Sequence, residues 1–102
     1  MAEAAPKHLQ GLLDARRDEI NEIAARHQVL TVAIFGSVAR GEGGPHSDID
    51  FLVEFAPGTR ALEVLALESD LEEALGVKVE VGTPQLLKPS IRDRVLAEAV
   101  PL

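Results

Sequence analysis

Gly36-Ser-Val-Ala-Arg-Gly-Glu-Gly-Gly-Pro-His-Ser-Asp-Ile-Asp50 is the stretch on which the chain turns. The apolar run Leu30–Phe35 leads into it and Phe51–Phe55 leads out. The order reads as strand, phosphate-binding turn, loop, and a strand that opens on two carboxylates. Packing alone explains it poorly, because Asp is a weak strand former and two aspartates at i and i+2 on one strand point to the same face.

Each half of the stretch has its own chemistry. A glycine ending a strand adopts φ values closed to other residues and lets the backbone approach a ligand. The short helix expected over Ser37–Arg40 adds free N–H groups and the positive end of its dipole, and the Ser37 hydroxyl adds a donor. Gly-Ser is also ordinary turn chemistry, so the dipeptide alone decides little. No G-x-x-x-x-G-K-[ST] occurs, and Gly41, Gly43 and Gly44 do not follow a strand in G-x-G-x-x-G order, which excludes a P-loop and a dinucleotide fingerprint. A divalent cation would relieve the repulsion between Asp48 and Asp50, and carboxylates that leave room for water and phosphate suit Mg²⁺.

A third acid is sought elsewhere. Val77-Lys-Val-Glu-Val81 alternates, with the valines inward and Lys78 and Glu80 outward. If this strand lies beside Asp48–Phe55, Glu80 shares a face with the two aspartates; otherwise it is an exposed strand charge. Three such carboxylates suffice for two metal ions about 3.5–4 Å apart. Arg40 reads either as a triphosphate contact or as a solvated helix charge. His46 lies in the loop before Ser47-Asp48, and His8 and His27 read as surface positions on the first helix. Glu68, Asp70 and Glu72 read as a solvated helix face.

Working outward, residues 7–27 carry Leu9, Leu12, Leu13, Ile20, Ile23 and Ala24 at helical spacing. A second helix is expected from Thr59, as N-cap, to Leu75, with Gly76 as its stop and an apolar stripe of Leu62, Leu65, Ala66, Leu71, Ala74 and Leu75. A third is expected to start at Thr83-Pro84, to be interrupted or restarted by Pro89, and to carry Ile91, Val95, Leu96 and Ala99 towards the end. Strands alternate with helices, so the expected class is α/β in a single domain over 1–102.

Composition bounds the function. The 102 residues carry a net charge of −7, with three Phe, no Trp, no Tyr and no Cys. A cysteine nucleophile, disulfides and thiolate zinc are excluded. Nucleic-acid binding ordinarily leaves a basic footprint, so an acidic chain argues against long nucleic acid as a partner. No apolar run reaches membrane-span length and the N-terminus lacks a signal-peptide core, so the expected location is the cytoplasm.

Gly36-Ser37, Gly41 and Ser47-Asp48-Ile49-Asp50 running into Phe51-Leu52-Val53 together resemble the signature of the DNA polymerase β-like nucleotidyltransferases, and in particular the minimal nucleotidyltransferases of bacteria and archaea. The resemblance implies a small mixed sheet flanked by helices, two Mg²⁺ ions, and ATP or another nucleoside triphosphate as donor. It implies Asp48, Asp50 and Glu80 as metal ligands and catalytic acids, and Gly36, Ser37, Arg40 and Ser47 as nucleotide contacts. Glu80 departs from the family, whose third acid is most often Asp. Relatives of this kind are commonly paired with a HEPN-type RNase toxin, which they neutralise by adding AMP to a tyrosine hydroxyl. Two alternatives stay open: a non-catalytic antitoxin that blocks its partner sterically, and a transferase acting on a small hydroxylated molecule of the aminoglycoside type. After three strands and their helices no chain is left for an acceptor-gripping domain, which favours an acceptor presented by a partner protein.

Overall fold

The β-branched run before Gly36 and the aliphatic run after Asp50 form two antiparallel strands, β1 (Val29–Phe35) and β2 (Ile49–Phe55), at the centre of the molecule. The structure is a computed structural model that describes residues 11–42 and 48–102. Ile34 pairs with Phe51 and Phe35 with Asp50. On the far side of β2 runs β3 (Val79–Gly82), parallel to it, and beside β1 lies the two-residue β4 (Val100–Pro101), antiparallel. The strand order is β3-β2-β1-β4, a mixed four-stranded sheet.

Strand alternation sorts the residues onto two faces. Ile49, Phe51 and Val53 of β2, Ile34 of β1, and Val79 and Val81 of β3 are buried on one face. Their core includes Leu13, Ile20 and Ile23 of the N-terminal helical segment, which comprises residues 11–15 and α1 (Arg17–Arg26), and Leu67, Leu71 and Leu75 of α3 (Leu62–Leu75). The remaining helices are the four-residue α2 (Gly36–Ala39) and α4 (Pro89–Glu98). Parallel β2 and β3 require a crossover, and α3 supplies it. Asp50, Leu52 and Glu54 belong to the opposite face, where Leu52 is also buried.

Several element boundaries differ from expectation, each for a local reason. Thr59 does not cap α3: its hydroxyl donates to the Ala56 carbonyl at 2.6 Å inside the preceding turn, and α3 begins at Leu62 without a side-chain cap. The apolar stripe of α3 is Leu67, Leu71 and Leu75, one residue every four; Leu62 and Leu65 are exposed. Gly76 ends the helix as expected, at φ 72°, with its N–H on the Glu72 carbonyl. Thr83 opens a turn, not a helix, its hydroxyl accepting from the Leu86 N–H. Pro89 starts α4, because a residue before proline is pushed out of the helical region and Lys88 sits at ψ 139°. At the other end α4 stops at Glu98; Ala99 is extended, Pro101 disfavours helix at Val100, and the chain joins β1 through Val100. Among the described residues, no helix is long and apolar enough to cross a membrane.

Three acids of α3 do not form a solvated face. Glu72 accepts the Val79 N–H at 3.0 Å and Glu68 the Val81 N–H at 2.9 Å, so successive turns of α3 satisfy the outer edge of β3. Asp70 bonds His27, and that histidine is not a surface position: its side chain is only 13% exposed. Nδ1 lies 2.8 Å from Glu63 and Nε2 lies 2.6 Å from Asp70. Both partners are carboxylates, so donation from both nitrogens requires the imidazolium. Burial opposes that charge, but the hydrogen bonds to Asp70 and Glu63 outweigh it and raise the His27 pKa above 6.5. A raised pKa stabilises the fold fully below the unfolded value and loses that contribution as pH rises through the folded one. The variant His27→Gln should therefore lose about 1 kcal/mol at pH 6 and much less at pH 9. Thermal unfolding of wild type and variant at both pH values checks this; an equal loss at both would show that packing, not charge, holds the ring.

Candidate active site

The geometry around Gly36 follows from the register of β1 and β2. Phe35 pairs with Asp50, so the chain turns into α2 directly beside the Asp50 carboxylate. Gly36 takes φ 77°, in the left-handed region that favours glycine. A Cβ there would overlap Asp50 Oδ2 and stand 3.2 Å from its Cγ. The glycine is required twice over, by its dihedral and by the aspartate packed against it. Ser37 follows, half-buried, and its carbonyl accepts the Glu42 N–H at 2.8 Å, which closes the turn. Because α2 has only four residues, its dipole is short, and backbone N–H groups and side chains carry more of any anion binding than the sequence suggested.

Asp50 and Glu80 are in register on parallel neighbours β2 and β3, hence on one face. Asp48 lies just before β2, half-buried; the strand itself starts at Ile49, whose N–H is held by the Lys78 carbonyl. Loss of hydration pushes the Asp50 pKa up to about 6, aided by a shared hydrogen bond with Glu80 and by the negative charges of Glu80 and Asp48. The Arg40 guanidinium pulls weakly the other way. The sheet thus brings Glu80 beside Asp50, and the Asp48 charge just before β2 is also felt at the half-buried Asp50. Among the described residues, no three His, Asp or Glu side chains are drawn together as a ready-made cation cage. The donor set still fits Mg²⁺, which binds through one or two carboxylates and completes its shell with water and substrate phosphates.

Arg40, the C-cap of α2, is tied to carboxylates: Nε donates to Glu42 and Nη1 to Glu98, both at 3.1 Å. Glu98 is a neighbour that no local pattern announces, since 58 residues separate it from Arg40. A cleft of about 450 Å³ opens here, between Gly36 and Arg40 on one side and Ile91, Arg94, Val95 and Glu98 of α4 on the other. A second concavity is lined by Phe55, Val64, Leu65 and Leu86 among others; none of the three acids lines either hollow, and the first meets them only through Gly36, which abuts Asp50. The expected contact Ser47, and His46 and His8, lie outside the described residues.

Comparison with known proteins shows the family to which this fold belongs. The profile of the nucleotidyltransferase domain matches residues 17–102. Protein adenylyltransferase MntA of Thermococcus cleftensis is 35% identical over 100 residues, covering 98% of each chain. A solved structure described as a candidate minimal nucleotidyltransferase superposes with a TM-score of 0.80 at 39% identity, over the whole of both chains. The fold also recurs, at TM-score 0.66 and 17% identity, in a structure of tri-AMPylated Shewanella oneidensis HEPN toxin in complex with MNT antitoxin, covering 86% of this chain and 69% of that one. With its mixed sheet, its Gly36 turn against Asp50 and a domain match over most of its length, the chain belongs to the nucleotidyltransferase-domain family and is a nucleotidyltransferase of the minimal fold.

Proposed function

We propose that this nucleotidyltransferase transfers AMP from ATP to a hydroxyl, read as tyrosine, of a HEPN-type toxin, and that it acts as that toxin's antitoxin. The observation that carries the reading is Asp50: it is packed against the Gly36 turn on one side and in register with Glu80 on the other. The relative named protein adenylyltransferase MntA, and the AMPylated toxin held by an antitoxin of the same fold, support the donor and the acceptor class.

The residues divide the work as follows. Gly36 lets the β- and γ-phosphates approach the backbone, and Ser37 donates its hydroxyl to them. Asp48, Asp50 and Glu80 would hold two Mg²⁺ ions, which when bound supply charge neutralisation for the leaving pyrophosphate and activation of the acceptor hydroxyl. The acceptor oxygen forms its bond to the α-phosphorus as the bridge to the β-phosphate breaks, and pyrophosphate leaves. The acceptor proton would pass to Glu80, exposed on the face beside Asp50, directly or through water. Glu is one methylene longer than Asp, and it reaches this face from the edge strand β3.

The test is direct. Incubated with ATP, Mg²⁺ and a HEPN-type partner protein, the chain should increase the partner's intact mass by one or more AMP units. No increase with any of the four nucleoside triphosphates would sink the enzymatic reading. The steric antitoxin is favoured by one observation, the Asp-to-Glu change at Glu80. It requires that neutralisation survive in Asp50→Asn.

A further inference from the structure

We propose that Arg94, on α4, is a phosphate-binding residue of the donor site, taking the charged tail of a nucleoside triphosphate across the cleft from Gly36. The inference rests on the nucleotidyltransferase reading above, and it concerns a helix that the motif of residues 36–50 does not include.

Position comes first. Arg94 and Gly36 line the same cleft, and Gly36 abuts the Asp50 carboxylate. Gly36 is thus the residue shared between this cleft and the Asp50 carboxylate, and a phosphate tail laid across it would have Arg94 on one side and the acids on the other. Ile91 and Val95 supply apolar lining on the α4 side.

Charge comes second. A triphosphate tail placed beside Asp48, Asp50 and Glu80, in a chain of net charge −7, needs cations from the protein. Two line this cleft, Arg40 and Arg94. Arg40 is committed to Glu42 and Glu98. Glu98 is four residues after Arg94 on the same helix, a spacing that allows an i,i+4 pair. Its carboxylate is instead within 3.1 Å of Arg40, and among the described residues Arg94 has no hydrogen-bonded or ion-paired partner. Arg94 is also exposed. The cleft thus holds one neutralised and one available guanidinium, and a guanidinium suits phosphate oxygens because its planar fork donates two parallel hydrogen bonds. With α2 only four residues long, its dipole cannot replace that side chain.

The experiment is equilibrium binding of ATP and of AMP, each with Mg²⁺, to the wild type and to Arg94→Ala, Arg94→Lys and Arg26→Ala. Arg26 is an exposed cation of α1 and controls for the bulk loss of one positive charge. Removing one charge-assisted phosphate contact should weaken ATP binding about tenfold in Arg94→Ala, and AMP binding less than about twofold. Arg94→Lys should fall between wild type and Arg94→Ala, and Arg26→Ala should match wild type. The proposal is overturned if Arg94→Ala leaves ATP binding unchanged, weakens ATP and AMP equally, or is matched by Arg26→Ala. Should Arg94→Ala fail to fold, the Lys variant alone decides, by the same ATP-to-AMP comparison. Wild type that binds ATP with an unaffected Arg94→Ala removes only Arg94; wild type that binds no nucleoside triphosphate removes the donor reading as well.

Discussion

Asp50→Asn is expected to abolish nucleotide transfer while making the protein more stable. The two effects have one origin. Asp50 is half-buried on β2, its carboxylate against Gly36 and level with Glu80, and this crowding pushes its pKa up to about 6. A carboxyl whose folded pKa lies above its ordinary 3.8 favours folding when protonated, and loses that contribution as pH rises through about 6. At pH 7.5 the ionised Asp50 is therefore a net cost to the fold. Asparagine, nearly isosteric and uncharged, removes the cost at every pH. After discounting for solvent screening, the gain should be about 1 kcal/mol, or roughly 4–8 °C in melting temperature for a domain of this size. Transfer should fall about a thousandfold or more, because a neutral amide is a poor ligand for Mg²⁺ and leaves the reacting centre short of one negative charge. Thermal melts in chelator at pH 7.5 and pH 4 test the first part, since the gain should vanish at the lower pH. Intact-mass measurement of the partner tests the second. A variant that loses stability at pH 7.5 would mean that the Asp50 carboxylate is held by favourable bonds, contrary to the charge crowding described here.

The second large effect is expected at Gly36. In Gly36→Ala the added methyl would overlap Asp50 Oδ2 and must also adopt φ 77°. Asp50 cannot retreat freely, because its backbone is locked between β1 and β3. Either the carboxylate rotates or the turn shifts, and both separate the proposed phosphate seat from the acid. Transfer should drop at least about a hundredfold, and stability by about 1–3 kcal/mol, the sum of backbone strain and overpacking. Gly41 provides the control. It has nearly the same dihedral, φ 75°, but among the described residues nothing lies within 4 Å of where a Cβ would go. Gly41→Ala should thus show the strain alone, about 1 kcal/mol, with far less effect on transfer. Urea unfolding midpoints of the two variants, compared with each other, isolate the clash with Asp50. Equal losses of stability and activity in both would show that the dihedral matters and the contact with Asp50 does not.

The strands that carry the candidate site are legible in the sequence because they rest on short, regular spacings. Glu80 sits between two inward valines and Asp50 between Ile49 and Phe51, so a strand's period of two orients both; Asp48, expected to open the strand, lies just before it, and the period does not fix its direction. Gly36 announces itself by ending a β-branched run. The helices were legible in kind but not in extent. Thr59 and Thr83 look like N-caps, yet both hydroxyls are used inside turns, and Leu62 and Leu65 look like core but are exposed. Capping and burial depend on where the chain goes next, which a local pattern does not contain.

Long-range pairing was beyond reach for the same reason. Glu68 and Glu72 satisfy the edge of β3, His27 bridges Glu63 and Asp70, and Glu98 takes Arg40. In the sequence each of these is an ordinary charge at an ordinary helical position. The sequence by itself determined which groups are available: a glycine turn, candidate carboxylates, no thiol, an acidic chain and alternating strands and helices. Only the tertiary structure decided which of those groups meet. It put β3 next to β2 in the register that sets Glu80 against Asp50, and it folded α4 back so that Arg94 and Glu98 face the turn. The physical reason is that periodicity fixes the direction of a side chain relative to its own element. Which element lies opposite is set by how the apolar faces of all of them pack at once.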